Sequence, residues 1–302
     1  MSLTVTTTEQ PPTAQPLSVY HDNNNNNNNN PAPANVVIRQ DPFYITLDAP
    51  ALLAVSILLV LGMHFVDRPV LETLIILVPT SLLIRNDYLN FLKLGPGGTP
   101  PTPVGYARLT FYRLFTLRDP FVPPPVDPAQ KPAAGILGAD LPYRPGPRPA
   151  VAGLAPQRQL NQHGSTGAYD RLRGAIEALA VRDPKRFVTA TSCLEKHGFA
   201  LFSRHPVNVC GNGEVCHIHS SDRSLHLNLH PDDIREVLEK GWGQRHPMAW
   251  EGMLVRSPVP RTFTMIYAPR DENDLKIVGR IVEAAIWYTD AEKAEVRPVT
   301  EG

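Results

Sequence analysis

The stretch EVCHIHSSDRSLHLNL, residues 214–229, decides the kind of fold that this chain can adopt. Apolar and polar side chains alternate over Glu214–His219 and again over Ser224–Leu229, as they do along half-buried strands. The short polar segment between them, Ser220–Arg223, is typical of a turn. We therefore predict an antiparallel hairpin that directs its leucines to a core and its histidines to the opposite face.

The predicted hairpin would bring three imidazoles together. His217 and His219 share one strand face, and His226 shares the face of the next strand with Asn228. If a two-residue turn joins the strands, His219 lies opposite His226 and His217 lies opposite Asn228. Neutral imidazoles in such a group can bind zinc or iron, or can accept an enolic or phenolic proton near neutral pH.

A second polar segment, GWGQRHP at residues 241–247, follows a predicted helix. The two glycines around Trp242 predict a tight, irregular loop, and such loops position functional side chains more often than they serve packing. We expect this loop to carry His246 to the other histidines and Arg245 to a place where it could hold an anion. Because no carboxylate accompanies the histidines at a familiar ligand spacing, the sequence favours acid–base chemistry over a metal ion.

The remaining pattern after residue 160 predicts strands and helices in no regular βαβ alternation. We therefore expect an α+β fold, a single mixed domain over residues 161–289 that contains the antiparallel hairpin, followed by a tail over 290–302. The further predicted strands are 187–191, 199–202 and 262–268, and the predicted helices are 165–181, 231–240 and 271–288.

Two apolar stretches, Ala51–Val66 and Val70–Ile84, lie within residues 49–84 and flank the triplet Asp67-Arg68-Pro69. A 16-residue helix spans about 24 Å, less than the roughly 30 Å hydrocarbon core of a bilayer. The pair could be a hairpin of two short membrane helices, or one spanning helix with an interfacial one. Two buried core helices of a soluble protein remain the alternative.

Basic residues follow the second apolar stretch, beginning at Arg85. This bias predicts a catalytic domain on the cytosolic side of a membrane. We expect that membrane to be the endoplasmic reticulum.

The rest of the N-terminal half has a low-complexity composition. Residues 1–48 include an eight-residue asparagine run and predict a disordered tail. Residues 85–160 hold about half of the chain's 32 prolines and predict an extended linker that wraps onto the domain. The formal net charge is zero and there is no basic block, which argues against a nucleic-acid partner. Three cysteines are too few and too unevenly placed for a disulfide framework.

Five segments, taken in order, resemble the fungal luciferase family, the luciferase-like domain proteins. They extend over about two thirds of the chain, and their most specific elements are the His-x-His pair with a later histidine, the Gly-Trp-Gly-x-x-His-Pro motif and Tyr-Ala-Pro-Arg. The segments are IRNDYLNFLKLGP (84–96), GADLPYRPGPRP (138–149), HIHSSDRSLHLNL (217–229), EVLEKGWGQRHPMA (236–249) and TFTMIYAPRDENDLKIVGRIVEAAIWY (262–288).

The resemblance implies a chemistry that the residue pattern alone does not. Luminous members of this family oxidise a 3-hydroxylated styryl-pyrone with molecular oxygen, through an endoperoxide that loses carbon dioxide. They carry an N-terminal membrane helix, and no organic cofactor is generally assigned to them. The resemblance therefore implies molecular oxygen as co-substrate and a base that deprotonates the enol. The loop 220–223 lacks a histidine that we associate with luminous members, so light emission is not a required output.

We therefore expect a membrane-anchored oxidoreductase that acts on a hydroxylated pyrone, polyketide or phenolic metabolite. A non-oxidative lyase, isomerase or hydrolase of a secondary-metabolite pathway is one alternative, and a non-catalytic membrane-bound binding protein is another. Its expected partners are a small-molecule substrate and a membrane, and no cofactor is expected. The expected catalytic residues are His217, His219, His226, His246 and Arg245, and the expected substrate-binding residues are Trp242, Tyr267, Arg270 and Asn228.

Overall fold

A computed structural model describes residues 49–65, 68–251 and 256–297. The predicted disordered tail, residues 1–48, lies outside the described residues. The described residues form six α-helices and eight β-strands. The helices are α1 (Ala49–Phe65), α2 (Pro69–Lys93), α3 (Pro103–Arg113), α4 (Thr166–Arg182), α5 (Pro231–Glu239) and α6 (Glu272–Asp290). The strands are β1 (Val151–Gly153), β2 (Gln157–Gln159), β3 (Phe187–Thr191), β4 (Phe199–Ser203), β5 (Glu214–Ile218), β6 (Leu225–Asn228), β7 (Gly243–Arg245) and β8 (Phe263–Ile266).

Six of the strands form one sheet in the order β3-β4-β5-β6-β8-β7, and every neighbouring pair is antiparallel. Strands β1 and β2 form a separate two-stranded sheet. The mixed content of helices and an antiparallel sheet confirms the predicted coarse fold class. The predicted β5–β6 hairpin is present at the centre of the main sheet.

One face of the main sheet carries the larger core. Helices α4 and α6 pack on it against alternate strand residues such as Leu201, Ile218 and Leu227, all of them buried. The periodic apolar residues of α6 are fully buried, as expected of a helix with a wide apolar stripe. Ser165 caps α4 by accepting a hydrogen bond from the Ala168 amide, as the polar residue before a helix commonly does.

The opposite face of the main sheet is covered by the N-terminal half of the chain. A second core joins the end of α2 and α3 to the sheet, with Phe91, Leu109 and Leu154 packed near Phe263 of β8. The β1–β2 hairpin also lies on this side, because Gln157 of β2 hydrogen-bonds to His226 of β6. The histidine face is therefore enclosed between two layers.

The chain between α3 and β1 has little regular structure and follows the surface of the domain. The Leu137 amide donates to the Asp233 carboxylate at 2.7 Å, and the Trp242 indole donates to the Pro142 carbonyl at 2.6 Å. Leu137 and Leu141 are buried in the larger core. This proline-rich segment is thus part of the packed structure.

The register of the central hairpin differs from the one that a two-residue turn would produce. His217 pairs with His226, and the His219 amide donates to the Ser224 carbonyl at 2.9 Å. The turn has four residues, and its last, Arg223, adopts a positive φ of 63°. The expected pairing of His219 with His226 was therefore wrong by two residues. Because side chains alternate with a period of two, the three histidines still share one face.

The expectation of an irregular loop after α5 was also wrong. Residues Gly243–Arg245 form β7, an edge strand paired with β8. A Cβ atom at Gly243 would lie 2.3 Å from the Met265 carbonyl oxygen. Glycine therefore serves here to let the strand approach its neighbour closely, rather than to make a loop.

The two apolar stretches form α1 and α2, which contact each other near Gly62 and Ile75. By length and composition, α2 is the one helix among the described residues that could cross a membrane, and α1 is apolar but shorter. None of the apolar window of α2 is buried in the protein. That exposure distinguishes α2 from the core helix of a soluble domain.

Candidate functional site

Three histidines and one glutamate converge at the centre of the enclosed sheet face. His226 Nδ1 lies 3.0 Å from His219 Nε2 and 3.2 Å from His217 Nε2. Glu195 Oε1 lies 3.4 Å from His219 Nε2 and 3.9 Å from His217 Nε2. All four side chains are buried. We call Glu195, His217, His219 and His226 the His/Glu cluster.

Each imidazole of the cluster is held by a hydrogen bond at the ring nitrogen that does not face the other cluster residues. His217 Nδ1 contacts the Glu214 carboxylate at 2.5 Å, and His226 Nε2 contacts Gln157 Oε1 at 2.9 Å. His219 Nδ1 lies 2.8 Å from Ser224 Oγ, whose own hydroxyl donates to the Asp222 carboxylate. Acceptors at these positions fix the tautomer of each ring.

Glu195 was not found by sequence reasoning, although it supplies the carboxylate whose absence argued against a metal ion. It lies in the connection between β3 and β4, and Arg158 of β2 holds it through bonds of 3.0 and 2.8 Å. The β4–β5 pairing brings that connection next to His217. Its only sequence signal is its position between two predicted strands, which does not reveal the long-range pairing.

The buried charges around the cluster stabilise one another. Burial acts to raise the pKa of Glu195, but His219 and Arg158 outweigh it and hold the pKa far below its usual range. Burial and Arg158 act to lower the pKa of His219, but Glu195 and Asp222 outweigh them, so the net shift is upward. Burial, together with the adjacent histidines, keeps the pKa of His226 well below the usual value.

His246 lies beside the cluster, as expected, but its ring nitrogens are used by the backbone. Its ring centroid is 5.2 Å from that of His226. Its Nδ1 accepts from the Met248 amide at 3.1 Å, and it also bonds to the Leu154 backbone. Burial lowers the pKa of His246 to about 3, so the ring is neutral. His246 therefore packs against the cluster, and its ring nitrogens bond to the backbone rather than to the cluster residues.

Arg245 does not bond to the histidines. Its guanidinium donates to the backbone carbonyls of Val122, Ala249 and Arg261, and so connects three segments of chain around β7. In this geometry Arg245 stabilises the backbone of these segments instead of binding an anion beside the histidines.

The four expected substrate-binding residues do not form one group. Trp242 is buried in the larger core. The Tyr267 hydroxyl donates to Gln244 Oε1 at 3.1 Å, and Arg270 pairs with Asp274 near the surface. Asn228 accepts from the Thr262 hydroxyl at 2.6 Å and is on the same strand face as His226. Of the four, only Asn228 lies on a strand that also carries a cluster residue, namely β6 with His226.

An open depression of about 440 Å³ lies on the same side of the sheet at the β3–β4 edge. None of the four cluster residues lines it. Cys193, one of its lining residues, donates through Sγ to the Glu214 carboxylate at 3.1 Å. Since Glu214 also contacts His217, this one carboxylate links the lining of the depression to the cluster.

Comparison with known proteins identifies the family to which the chain is similar. A family model described as "Luciferase domain" matches residues 212–285, which include the three histidines of the cluster. The chain is 33% identical over 222 residues to a luciferase of Neonothopanus nambi, covering 68% of this chain and 81% of the relative. It is 35% identical over 221 residues to a luciferase of Armillaria ostoyae, with the same coverage.

A luciferase of Armillaria gallica is 34% identical over 229 residues, covering 70% of this chain and 84% of the relative. No solved structure matches the chain. Since relatives of this identity align along most of their own length, this chain belongs to the fungal luciferase family.

Proposed function

We propose that the protein is an enzyme that oxidises a hydroxylated pyrone, polyketide or phenolic compound with molecular oxygen. The observation that carries the proposal is the buried convergence of His217, His219 and His226 inside the segment that matches the luciferase family model. Relatives named luciferases support an oxygen-using enzyme that acts on a small molecule. Light need not be a product.

The proposed chemistry begins with an anion. An enol or phenol reacts with oxygen more readily once its hydroxyl proton has left, because the anion is richer in electrons. In the form of this mechanism that needs no metal ion, an unprotonated imidazole nitrogen of the cluster accepts that proton. His219 and His217 are the acceptors we propose, since their outer nitrogens already bond to Ser224 and Glu214.

We also propose that α1 and α2 anchor the protein in a membrane. The supporting observation is that large apolar side chains on both helices, such as Leu58, Phe65 and Leu77, are exposed. Contiguous apolar surface of this kind marks a membrane or protein contact rather than a solvated face. The endoplasmic reticulum, with the domain facing the cytosol, is the location we propose.

Oxygen uptake tests the proposed activity. The full-length protein in detergent is incubated with a panel of hydroxylated pyrones and phenols, and oxygen consumption and products are measured. We expect uptake with at least one compound, and a fall in turnover of roughly a hundredfold or more in His217→Ala and His219→Ala. His205→Ala, at an exposed histidine, is the matched control.

Two results would contradict the proposal. Product formation without oxygen would indicate a lyase, isomerase or hydrolase. Full turnover in both folded histidine variants would make the histidine face a structural feature.

A further inference from the structure

We propose that Glu195, His217, His219 and His226 bind one divalent first-row transition-metal ion. One ligand atom from each residue lies within 4.8 Å of the others. The inference rests on the proposed function and deepens it, because it names what activates the substrate at this site.

The first argument comes from the tautomers. His217 bonds through Nδ1 to a carboxylate, so its proton is on Nδ1 and its Nε2 presents a lone pair. His226 bonds through Nε2 to Gln157 Oε1, with the amide as the structure orients it, so its Nδ1 presents a lone pair. His219 bonds through Nδ1 to Ser224, whose hydroxyl proton is already given to Asp222, so its Nε2 does the same. The three nitrogen atoms that present lone pairs therefore lie within 4.8 Å of one another.

One added proton cannot provide a hydrogen-bond donor for all three of these lone pairs. A proton on His219 Nε2 could be donated to His226 Nδ1 at 3.0 Å or towards Glu195. His217 Nε2 would still face His226 Nδ1 at 3.2 Å, with a lone pair on each side. A metal ion accepts all three lone pairs at once.

The spacing of the nitrogen atoms fits a shared ion. Two imidazole nitrogens that are each about 2.0–2.1 Å from one ion lie about 2.8–3.4 Å from each other, the shorter values in octahedral and the longer in tetrahedral geometry. The observed separations from His226 Nδ1 are 3.0 and 3.2 Å. Glu195 Oε1 lies 3.4 Å from His219 Nε2 and can complete the ligand set.

Charge provides an independent argument. Three carboxylates, those of Glu195, Glu214 and Asp222, and one guanidinium, that of Arg158, are buried around the cluster. With the histidines neutral their charges sum to −3 + 1 = −2. Burying an uncompensated charge is costly, and a divalent cation among these groups would neutralise the site.

The ligand types restrict the identity of the ion. Imidazole suits zinc, copper, iron and nickel, whereas calcium and magnesium prefer oxygen ligands. Each proposed ligand also has an outer partner, which is the usual arrangement around histidines that bind a metal. Arg158 holds Glu195 in the same manner, with its Nη2 2.8 Å from Oε2, whereas Oε1 is the oxygen next to His217 and His219.

An ion here would change how the substrate anion forms. A hydroxyl bound to a divalent ion loses its proton at a lower pH than a free one, because the oxygen anion that remains is stabilised by the metal. The O–H bond breaks, the oxygen stays bound to the ion and the proton goes to water. An imidazole base would then not be required.

Cobalt(II) binding tests the site without measuring activity. Full-length protein in detergent is treated with a chelator, and Co²⁺ is titrated while visible absorption and bound metal are measured. We expect visible bands that saturate at about one equivalent. We also expect Glu195→Gln and His219→Gln to weaken Co²⁺ binding by more than about a hundredfold, since losing even an outer partner costs about 10–100-fold.

Exposed residues provide the matched controls. Glu251→Gln and His205→Gln should bind Co²⁺ like the wild type, and circular dichroism checks that every variant is folded. Absence of a one-equivalent endpoint in the folded wild type would overturn the proposal, even if a variant fails to fold. Equal Co²⁺ affinity in folded Glu195→Gln, His219→Gln and the controls would also overturn it.

Failure of this site can be told apart from failure of the proposed function. Oxygen consumption by metal-stripped wild type that also shows no one-equivalent Co²⁺ endpoint would refute the metal site and leave the oxidation standing. Stoichiometric Co²⁺ binding without oxygen consumption on any tested substrate would support the site and count against the oxidation.

Discussion

Glu195 and Asp233 are both buried carboxylates, yet their surroundings move their pKa values in opposite directions. Glu195 has His219 and Arg158 beside it, and its electrostatic and hydrogen-bond interactions with them outweigh the effect of burial. Asp233 has backbone amides, including that of Leu137, as its donors, and burial raises its pKa from 3.8 to about 6. The surroundings therefore favour the ionised form of Glu195, whereas burial disfavours the ionised form of Asp233.

The Asp233 shift predicts a pH-dependent stability. A carboxyl whose folded pKa exceeds its unfolded pKa contributes stability below about pH 4 and loses that contribution as the pH rises through about 6. Asp233→Asn has no such titration. We expect the free energy of unfolding of the wild type, relative to Asp233→Asn, to fall by about 1–3 kcal/mol between pH 4 and pH 7. Urea unfolding at several pH values measures this difference, and a constant difference would contradict the prediction.

Helix α5 shows how an element can depend on a histidine outside the cluster. His230 follows the alternating segment 214–229 and lies outside the predicted histidine face. In the structure it is buried, its Nδ1 accepts from the Asp232 amide at 3.1 Å, and its ring packs edge-on against Tyr288. It is the N-cap of α5, immediately before Pro231 at the first helical position.

We expect His230→Ala to destabilise the fold by about 1–3 kcal/mol, through the lost cap and the lost ring packing. His230→Asn keeps a cap acceptor and should recover part of that loss. Thermal and urea unfolding measure the effect. Turnover per folded molecule should remain unchanged, and a large loss of turnover in folded His230→Ala would place this ring in the functional site instead.

At the scale of the whole molecule, α2 belongs to two environments. Its first part is apolar and exposed, whereas its end is packed into the second core through Phe91, and Leu94, which follows the helix, is also buried. Asp87 also bonds to the Tyr106 hydroxyl at 2.6 Å. The boundary between the exposed apolar segment and the packed domain therefore lies inside one helix.

This division predicts the outcome of two truncations. We expect a chain beginning at Arg85 to be soluble without detergent and folded. A chain beginning at Gly95 loses Phe91 from the second core and also the buried Leu94. It should be less stable by several kcal/mol, since one buried large-to-alanine change costs about 2–5 kcal/mol. Sedimentation and thermal unfolding test both. Equal stability of the two would show that the end of α2 contributes nothing to the domain.

Local pattern was sufficient for much of the fold. The alternation over 214–229 identified the hairpin and its histidine face, because side chains on a strand alternate whatever the partner strand is. The apolar periodicity of α4 and α6 located both helices to within about two residues. The nearly uninterrupted apolar composition of the two stretches before Arg85 identified α1 and the start of α2.

The composition of the candidate site was decided by tertiary structure. The four-residue turn at 220–223 sets the hairpin register, and the close approach of Gly243 to β8 makes a strand where two glycines had suggested a loop. Glu195 and Gln157 reach the histidines from a β3–β4 connection and from a proline-rich segment. Contacts across such distances in sequence depend on the packing of whole layers, and no local periodicity encodes them. The sequence by itself therefore determined which residues share the histidine face, and only the tertiary structure decided which carboxylate and which amide complete it.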